Sequence, residues 1–131
     1  MAELITGIKG HAEEVVTAEK TAAGMKSGGL EVYATPRMIN MMEYTAWASV
    51  EPYMEEGMGT VGTHLDISHV SASPVGAYVT YESELTEIDG RKLTFHITAH
   101  DNSGLIGEGT HERFIINNDR FMARTASKLS K

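Results

Sequence analysis

The chain is expected to fold as an α+β domain, with an antiparallel sheet wrapped around one long helix. Three observations carry that expectation. A single stretch, Thr35 to Met54, has a helical period; the period changes to two from Thr60 onward; and turn-forming residues separate the later segments at hairpin-like spacing. The 131 residues are read as one domain, 1–131, since domains usually run to about 100–200 residues. A chain of this size buries roughly two thirds of its unfolded surface and needs no staple to hold a core.

Residues 10–20, "HAEEVVTAEKT", predict a strand, with the Glu13-Glu14 pair and two alanines leaving a short helix as the competing reading. Ala22 to Gly29 holds Gly24, Ser27, Gly28 and Gly29, a cluster that marks a loop. The long helix opens at Thr35 as N-cap, with Pro36 at the first helical position, where its missing N–H costs nothing. Gly57 and Gly59 stop it. Ile39, Met42, Ala46, Val50 and Tyr53 share the face expected to be buried, and Arg37, Tyr44, Ala48 and Glu51 lie towards the other.

From Thr60, alternation places Val61, Thr63, Leu65, Ile67 and His69 on one side of a strand and Gly62, His64, Asp66 and Ser68 on the other. Val75 to Leu85, Leu93 to His100 and Gly104 to Ile116 read as three further strands. Asp89-Gly90 and Asp101-Asn102-Ser103-Gly104 supply the turns, so the four strands are expected to form an antiparallel meander. The tail predicts a short helix capped by Asn118 or Asp119 and docked by Phe121 and Met122. The sheet is left with an open edge, and pairing of that edge with a second copy is the expected route to a homodimer.

Composition excludes several classes of function. With no cysteine, a disulfide framework, a thiolate nucleophile and a cysteine-containing zinc site are ruled out. Eighteen acidic residues against eleven basic ones, a formal charge of −7, argue against a nucleic-acid partner. No apolar run approaches the roughly 20 residues that span a bilayer, and Met1 to Gly10 lacks the pattern of a signal peptide. The expected setting is cytoplasmic, without membrane attachment.

Polar residues that break the apolar pattern are the candidates for chemistry. Glu43 falls between Val50 and Met54 on the helix circumference, at the margin of the buried arc; it either reaches solvent there or is held for hydrogen bonding or catalysis. His69 ends the apolar side of its strand, as a satisfied core residue or as a base oriented by a carboxylate. Thr35 is a helix cap, or a hydroxyl facing a cleft. Gly62 is a bulge, or a place where backbone approaches a ligand oxygen. "GTHERF", Gly109 to Phe114, loads an inner strand with His111, Glu112 and Arg113. That pattern fits a surface charge ladder, or a bulge near Gly107 and Gly109 with Arg113 in a buried salt bridge. No HExxH or close histidine pairing is present, so no metal site is expected.

Together "ATPRMINMMEYTAWASVEPYMEEGMGTVGTHLDISHVSASPVG", "ELTEIDGRKLTF" and "AHDNSGLIGEGTHERF" resemble the hotdog-fold thioesterases of the fluoroacetyl-CoA thioesterase type, over about residues 34–121. The resemblance implies a helix wrapped by an antiparallel sheet, and a homodimer with active sites at the interface. It places the family's catalytic threonine, glutamate and histidine at Thr35, Glu43 and His69. Gly62 falls at the glycine near the thioester carbonyl, and Arg113 at a structural or ligand-positioning arginine. The implied substrate is an acyl-CoA, with no cofactor. In that reaction His69 is the general base and Thr35 a hydroxyl donor. Glu43 serves as the partner of His69, as a base for water or as a nucleophile.

One stretch departs from the family. Its fluoroacetyl-specific member carries an aromatic lid before the threonine, where this chain has Lys26-Ser27-Gly28-Gly29. A short or medium acyl group is therefore expected in place of fluoroacetyl. Two other functions compete: a hotdog hydratase or dehydratase acting on acyl thioesters, and a non-catalytic acyl-CoA binding module.

Overall fold

A computed structural model describes residues 3–130; Met1, Ala2 and Lys131, the ends of the expected domain, lie outside the described residues. Strand β1 (Lys9–Val15) is followed by a 3-10 turn (Ala18–Lys20), a single turn of helix α1 (Ala22–Met25) and the long helix α2 (Thr35–Val50). Then come β2 (Met58–His69), β3 (Tyr78–Asp89), β4 (Lys92–Asp101), β5 (Gly104–Asn117) and helix α3 (Asn118–Ala126). The strands form one antiparallel sheet in the order β1-β3-β4-β5-β2. The expected α+β architecture is present, and α2 packs against β1, β2, β3 and β4.

The core joins one stripe of α2 to the inner face of the sheet. Met38, Met42, Ala46 and Val50 are fully buried against a layer that includes Val79, Tyr81, Leu85, Leu93, Phe95 and Ile97. Each large apolar side chain removed from water in this way stabilises the fold by about 1.5–3 kcal/mol. Glycines thin β5 against both neighbours: a Cβ on Gly107 would lie 2.6 Å from Met38 Sδ of the helix, and one on Gly109 2.0 Å from the Asp66 carbonyl oxygen of strand β2. Both glycines serve close packing, and Gly107 also borders a bulge: Ala99 pairs with Gly107 and His100 with Leu105, so Ile106 is an extra residue on β5.

Several expectations are corrected. The first strand ends at Val15, short of residue 20. The stretch Ala22 to Gly29 begins with α1 because the Thr21 hydroxyl accepts from Gly24 N at 3.0 Å. Helix α2 stops at Val50 instead of Met54. Pro52 lacks the N–H that would bond Ala48, and the chain continues as a 3-10 turn, Glu51–Tyr53. The buried stripe is turned slightly, with Met38 fully buried and Ile39 only partly. Ala34, not Thr35, is the N-cap, and it makes no side-chain cap bond. Helix α3 is capped by Asn117, which accepts from Arg120 N at 3.0 Å, while Phe121 and Met122 stay 37% and 60% exposed.

The largest correction concerns β2. Only β3, β4 and β5 form a meander; β2 pairs with β5 at the far edge of the sheet. The connection from His69 to Tyr78 crosses three strand spacings, about 14 Å, which the intervening residues easily span. The alternation of β2 also changes phase. Gly62 pairs with Arg113 and His64 with Glu112, so Thr63 is an extra residue and the side-chain period slips there. Thr60 and Gly62 lie over Ile115 and Arg113, whereas Leu65, Ile67 and His69 lie over His111, Gly109 and Gly107. Val61 and Thr63 therefore do not continue the side carrying His69.

Candidate active site

Helix α2 supplies Thr35 from its first turn and Glu43 two turns later, and the edge strand β2 supplies Gly62 and His69. The cap lies at Ala34, so the Thr35 hydroxyl is not spent on the helix. It meets the end of β2 instead, with Thr35 Oγ1 2.7 Å from His69 Nδ1. His69 Nε2 is buried and has no hydrogen-bond partner among the described residues. Burial lowers the His69 pKa, partly offset by the Ser71 backbone, so the imidazole favours its neutral form. The pair borders a cleft of about 310 Å³ also lined by Ser27, Val32, Tyr33 and Val70.

Glu43, Gly62, His111 and Arg113 form a second group. A Cβ on Gly62 would stand 2.9 Å from Glu43 Oε2, 3.1 Å from His111 Cε1 and 3.3 Å from Arg113 Nη1. Glycine thus leaves the room that the carboxylate and guanidinium occupy. Arg113 is 6% exposed. Its Nε donates to Thr60 Oγ1 at 2.8 Å and its Nη2 to the Thr60 carbonyl at 2.9 Å. The expected buried salt bridge of Arg113 is absent among the described residues; neutral acceptors hold it.

His111 completes that support. Its Nδ1 lies 2.9 Å from the His64 carbonyl oxygen, which can only accept, so Nδ1 carries the proton. Nε2 is then free to accept from Arg113 Nη1 at 3.2 Å. Burial first, opposed by the His64 carbonyl and reinforced by Arg113, lowers the His111 pKa and keeps the ring neutral. The side chains of β5 thus divide, with His111 and Arg113 buried and Glu108 exposed. Within "THER", Glu112 is only half-buried and faces Lys92 at 4.0 Å, so a surface charge pair accounts for that residue while His111 and Arg113 belong to the interior.

The candidates therefore fall into two groups within the chain. Thr35 and His69 touch; Glu43, Gly62 and Arg113 cluster; and no hydrogen bond joins Glu43 to His69 among the described residues. Eight residues of α2, about 12 Å of helix rise, separate Thr35 from Glu43.

The sequence reading missed Thr60 and His111 as partners of Arg113, and also a charged network beside the helix entrance. Glu14 of β1 accepts from Arg37 Nε at 3.0 Å, Arg37 Nη2 at 2.6 Å and the Tyr33 hydroxyl, and pairs with Lys20 Nζ at 3.0 Å. Tyr33 also bonds the buried Tyr81 hydroxyl. Burial would raise the Glu14 pKa, but the donors Arg37, Tyr33 and Lys20 outweigh it and bring it down to about 2. The network fixes the chain on both sides of Thr35.

A family model of fluoroacetyl-CoA-specific thioesterases matches residues 16–119, which include every candidate residue. A fluoroacetyl-CoA thioesterase of Streptantibioticus cattleyicolor is 40% identical over 98 residues, covering 75% of this chain and 70% of that protein. The chain belongs to the fluoroacetyl-CoA thioesterase family. Among solved structures, a fluoroacetyl-CoA thioesterase superposes with a TM-score of 0.91 at 33% identity, over 97% of this chain and 98% of the other. Mutants of that type of enzyme have been solved with fluoroacetate and CoA, and with acetyl-CoA. A Thermus thermophilus member of the thioesterase superfamily matches at 26% identity and TM-score 0.88, over 96% and 93% of the two chains. Membership confirms the hotdog fold and makes the protein a thioester hydrolase by class. No helix among the described residues is long and apolar enough to cross a membrane.

Proposed function

We propose that the protein, as one domain over 1–131 working in the cytoplasm, hydrolyses a short or medium acyl-CoA to the free acid and CoA without preference for fluoroacetyl. The observation that carries this reading is the 2.7 Å contact between Thr35 Oγ1 and His69 Nδ1 beside a cleft. A cleft of about 310 Å³ sits at the small end of ligand pockets. It suits an acyl group and its thioester, and leaves the rest of CoA outside. Its wall on the α1 side offers Ser27 where the fluoroacetyl-specific relative has aromatic cover. The acetyl-CoA complex of that relative supports a small acyl group.

In the proposed reaction, oxygen attacks the thioester carbonyl and the C–S bond breaks. Neutral His69 accepts a proton on attack and returns it to the departing CoA sulfur. Thr35 orients the imidazole and offers its hydroxyl to the carbonyl region. Glu43 acts on the same carbonyl, as base for water or as nucleophile. A backbone donor at Gly62 holds the oxyanion, and Arg113 fixes Glu43 and Gly62 in place.

A homodimer joins the two groups. Edge strand β2 exposes Leu65 at 38%, and α2 exposes Tyr44 and Trp47 at 50% and 36%. Antiparallel pairing of β2 with its copy, about an axis near Leu65 and Asp66, sets the partner's Gly62 and Glu43 opposite His69. Such pairing also satisfies the open backbone edge.

The test is thiol release from a panel of acyl-CoAs, acetyl through decanoyl with fluoroacetyl and phenylacetyl, for wild type and His69→Ala. Turnover that drops about 10²-fold or more in the variant is expected. Absence of release from every ester overturns the proposal; enoyl-CoA hydration or binding without turnover would then identify the hydratase or the binding module.

A further inference from the structure

His111 is fully buried on the inner strand β5, between Phe95 of β4 and Leu65 of β2 in the pairing register, and the proposed reaction gives it no part. An imidazole is a costly filler for such a place. Burying its polar nitrogens opposes folding unless both are bonded, and an apolar side chain would pack there without that requirement. Both nitrogens are bonded, each to a different element of the candidate site. Nδ1 donates to the His64 carbonyl at 2.9 Å, and Nε2 accepts from Arg113 Nη1 at 3.2 Å. Between them the ring carbon Cε1 faces Gly62, where a Cβ would stand 3.1 Å away.

Each partner has a bearing on the site. His64 is the residue at which β2 regains its register after Gly62, with Thr63 left over. Glycine-containing strands hold their register weakly, and here β5 pins the bulge twice. His111 takes the His64 carbonyl, and the Thr63 hydroxyl donates to the Glu112 carbonyl at 3.2 Å. On Arg113, Thr60 holds Nε and Nη2. Nη1, the nitrogen that a Gly62 Cβ would meet at 3.3 Å, is held by His111. The ring serves both partners in one form alone, neutral with its proton on Nδ1; a proton on Nε2 would set donor against donor. Burial foremost, then the Arg113 charge, disfavours the imidazolium and outweighs the His64 carbonyl, Glu43 of α2 and Glu112, which favour it.

We propose that His111 is a positioning residue of the thioester-hydrolysing site. Its two hydrogen bonds tie the bulge that carries Gly62 to the Gly62-side nitrogen of Arg113, so that the backbone donor and the guanidinium keep one spacing. The inference rests on the proposed role of Gly62 as oxyanion donor, and adds the residue that sets where that donor stands. His111 reaches no substrate itself; it acts through β2 and Arg113. Such a tie matters because an oxyanion donor works over a narrow range of about 2.7–3.1 Å, and a misplacement of about 1 Å costs on the order of 10²-fold in rate. The two bonds act in series, so breaking either one should undo the spacing.

The test uses two isosteres of the imidazole in the full-length protein, each of which keeps one bond. His111→Asn retains a donor at the Nδ1 position and loses the link to Arg113; His111→Gln retains an acceptor near the Nε2 position and loses the link to the bulge. Both are expected to lower kcat for the best acyl-CoA about tenfold or more, with KM within about twofold of wild type. The thermal midpoint is measured beside each, so that kinetics are read on folded protein. A lowered midpoint with kcat unchanged, or full kcat in either isostere, overturns the proposal. Independently of turnover, histidine-selective nitrogen NMR of wild type near neutral pH is expected to show His111 neutral and protonated on Nδ1. A ring protonated on Nε2, or on both nitrogens, overturns the proposal. The expected tautomer in a protein that hydrolyses no thioester would support the tie between bulge and guanidinium and overturn the hydrolase reading alone.

Discussion

Glu14 and Glu43 are both carboxylates at the junction of helix and sheet, and the fold treats them in opposite ways. Glu14 is saturated: Arg37 donates twice, Tyr33 once, and Lys20 completes its charge balance. Glu43 receives no hydrogen bond among the described residues, and its carboxylate lies beside Gly62, where a Cβ would stand 2.9 Å from Oε2. The same contrast holds for the groups around them. Tyr33 and Tyr81 bond to each other, whereas His69 keeps a buried Nε2 without a partner. Buried polar groups are nearly always paired, so an unpaired one next to a cleft marks where a substrate or water must supply the missing bond. Saturation distinguishes the scaffold from the chemistry here.

The comparison breaks most severely on the saturated side. Arg37→Ala leaves Glu14, whose side chain is 8% exposed, with Lys20 and Tyr33 as its remaining donors. A loss of about 3 kcal/mol is expected from removing one partner of a buried pair, read as the midpoint and slope of urea unfolding. A cost below about 1 kcal/mol, typical of a surface pair, would place Glu14 among ordinary exposed carboxylates.

Acid sharpens the same point. The folded-state pKa of Glu14, about 2, lies below the ordinary 4.5, so its stabilisation is complete above pH 4.5 and is lost as the pH falls from there towards 2. The total is on the order of 3 kcal/mol. Unfolding free energies measured across that window should decline in wild type and decline less in Glu14→Gln. Parallel declines would contradict the pairing.

The smallest effect lies on the unsaturated side. Burial lowers the His69 pKa, so this imidazole, the proposed base, stays neutral to lower pH than a free one. The acid limb of kcat/KM should therefore fall below pH 6.5. A limb above pH 6.5 would mean that a carboxylate charges the ring in the free enzyme.

What the sequence reveals follows from the range of the interactions. The apolar spacing of Met42, Ala46 and Val50 announces α2, and Gly90 and the Asp101 turn announce the hairpins, because these signals are local. Arg113 and His111, two apart on a strand, could have been read as neighbours on one face. The phase slip at Thr63 leaves no such trace, since the residues on either side keep an alternating pattern. The edge position of β2 is equally hidden: the segment from Val70 to Ala77 carries turn residues whether it closes a hairpin or crosses the sheet. The Glu14 network was the hardest to see. Its members come from β1, the 3-10 turn, the start of α2 and β3, and within β1 the Glu13-Glu14 pair looks only like a weakness. Pro52 was readable, and it ends α2 where a strict period count did not.

The most direct test of the contrast sets Glu43→Gln beside Glu14→Gln, with kcat/KM for the best acyl-CoA and the thermal midpoint measured for each. Glu43→Gln should lower kcat/KM by about 10²-fold or more and leave Tm within about 3 °C. Glu14→Gln should lower Tm by roughly 5–10 °C, with a far smaller loss of kcat/KM in the folded protein. Retained turnover in Glu43→Gln, or an unshifted Tm in Glu14→Gln, would contradict the division between a saturated scaffold and an unsaturated site.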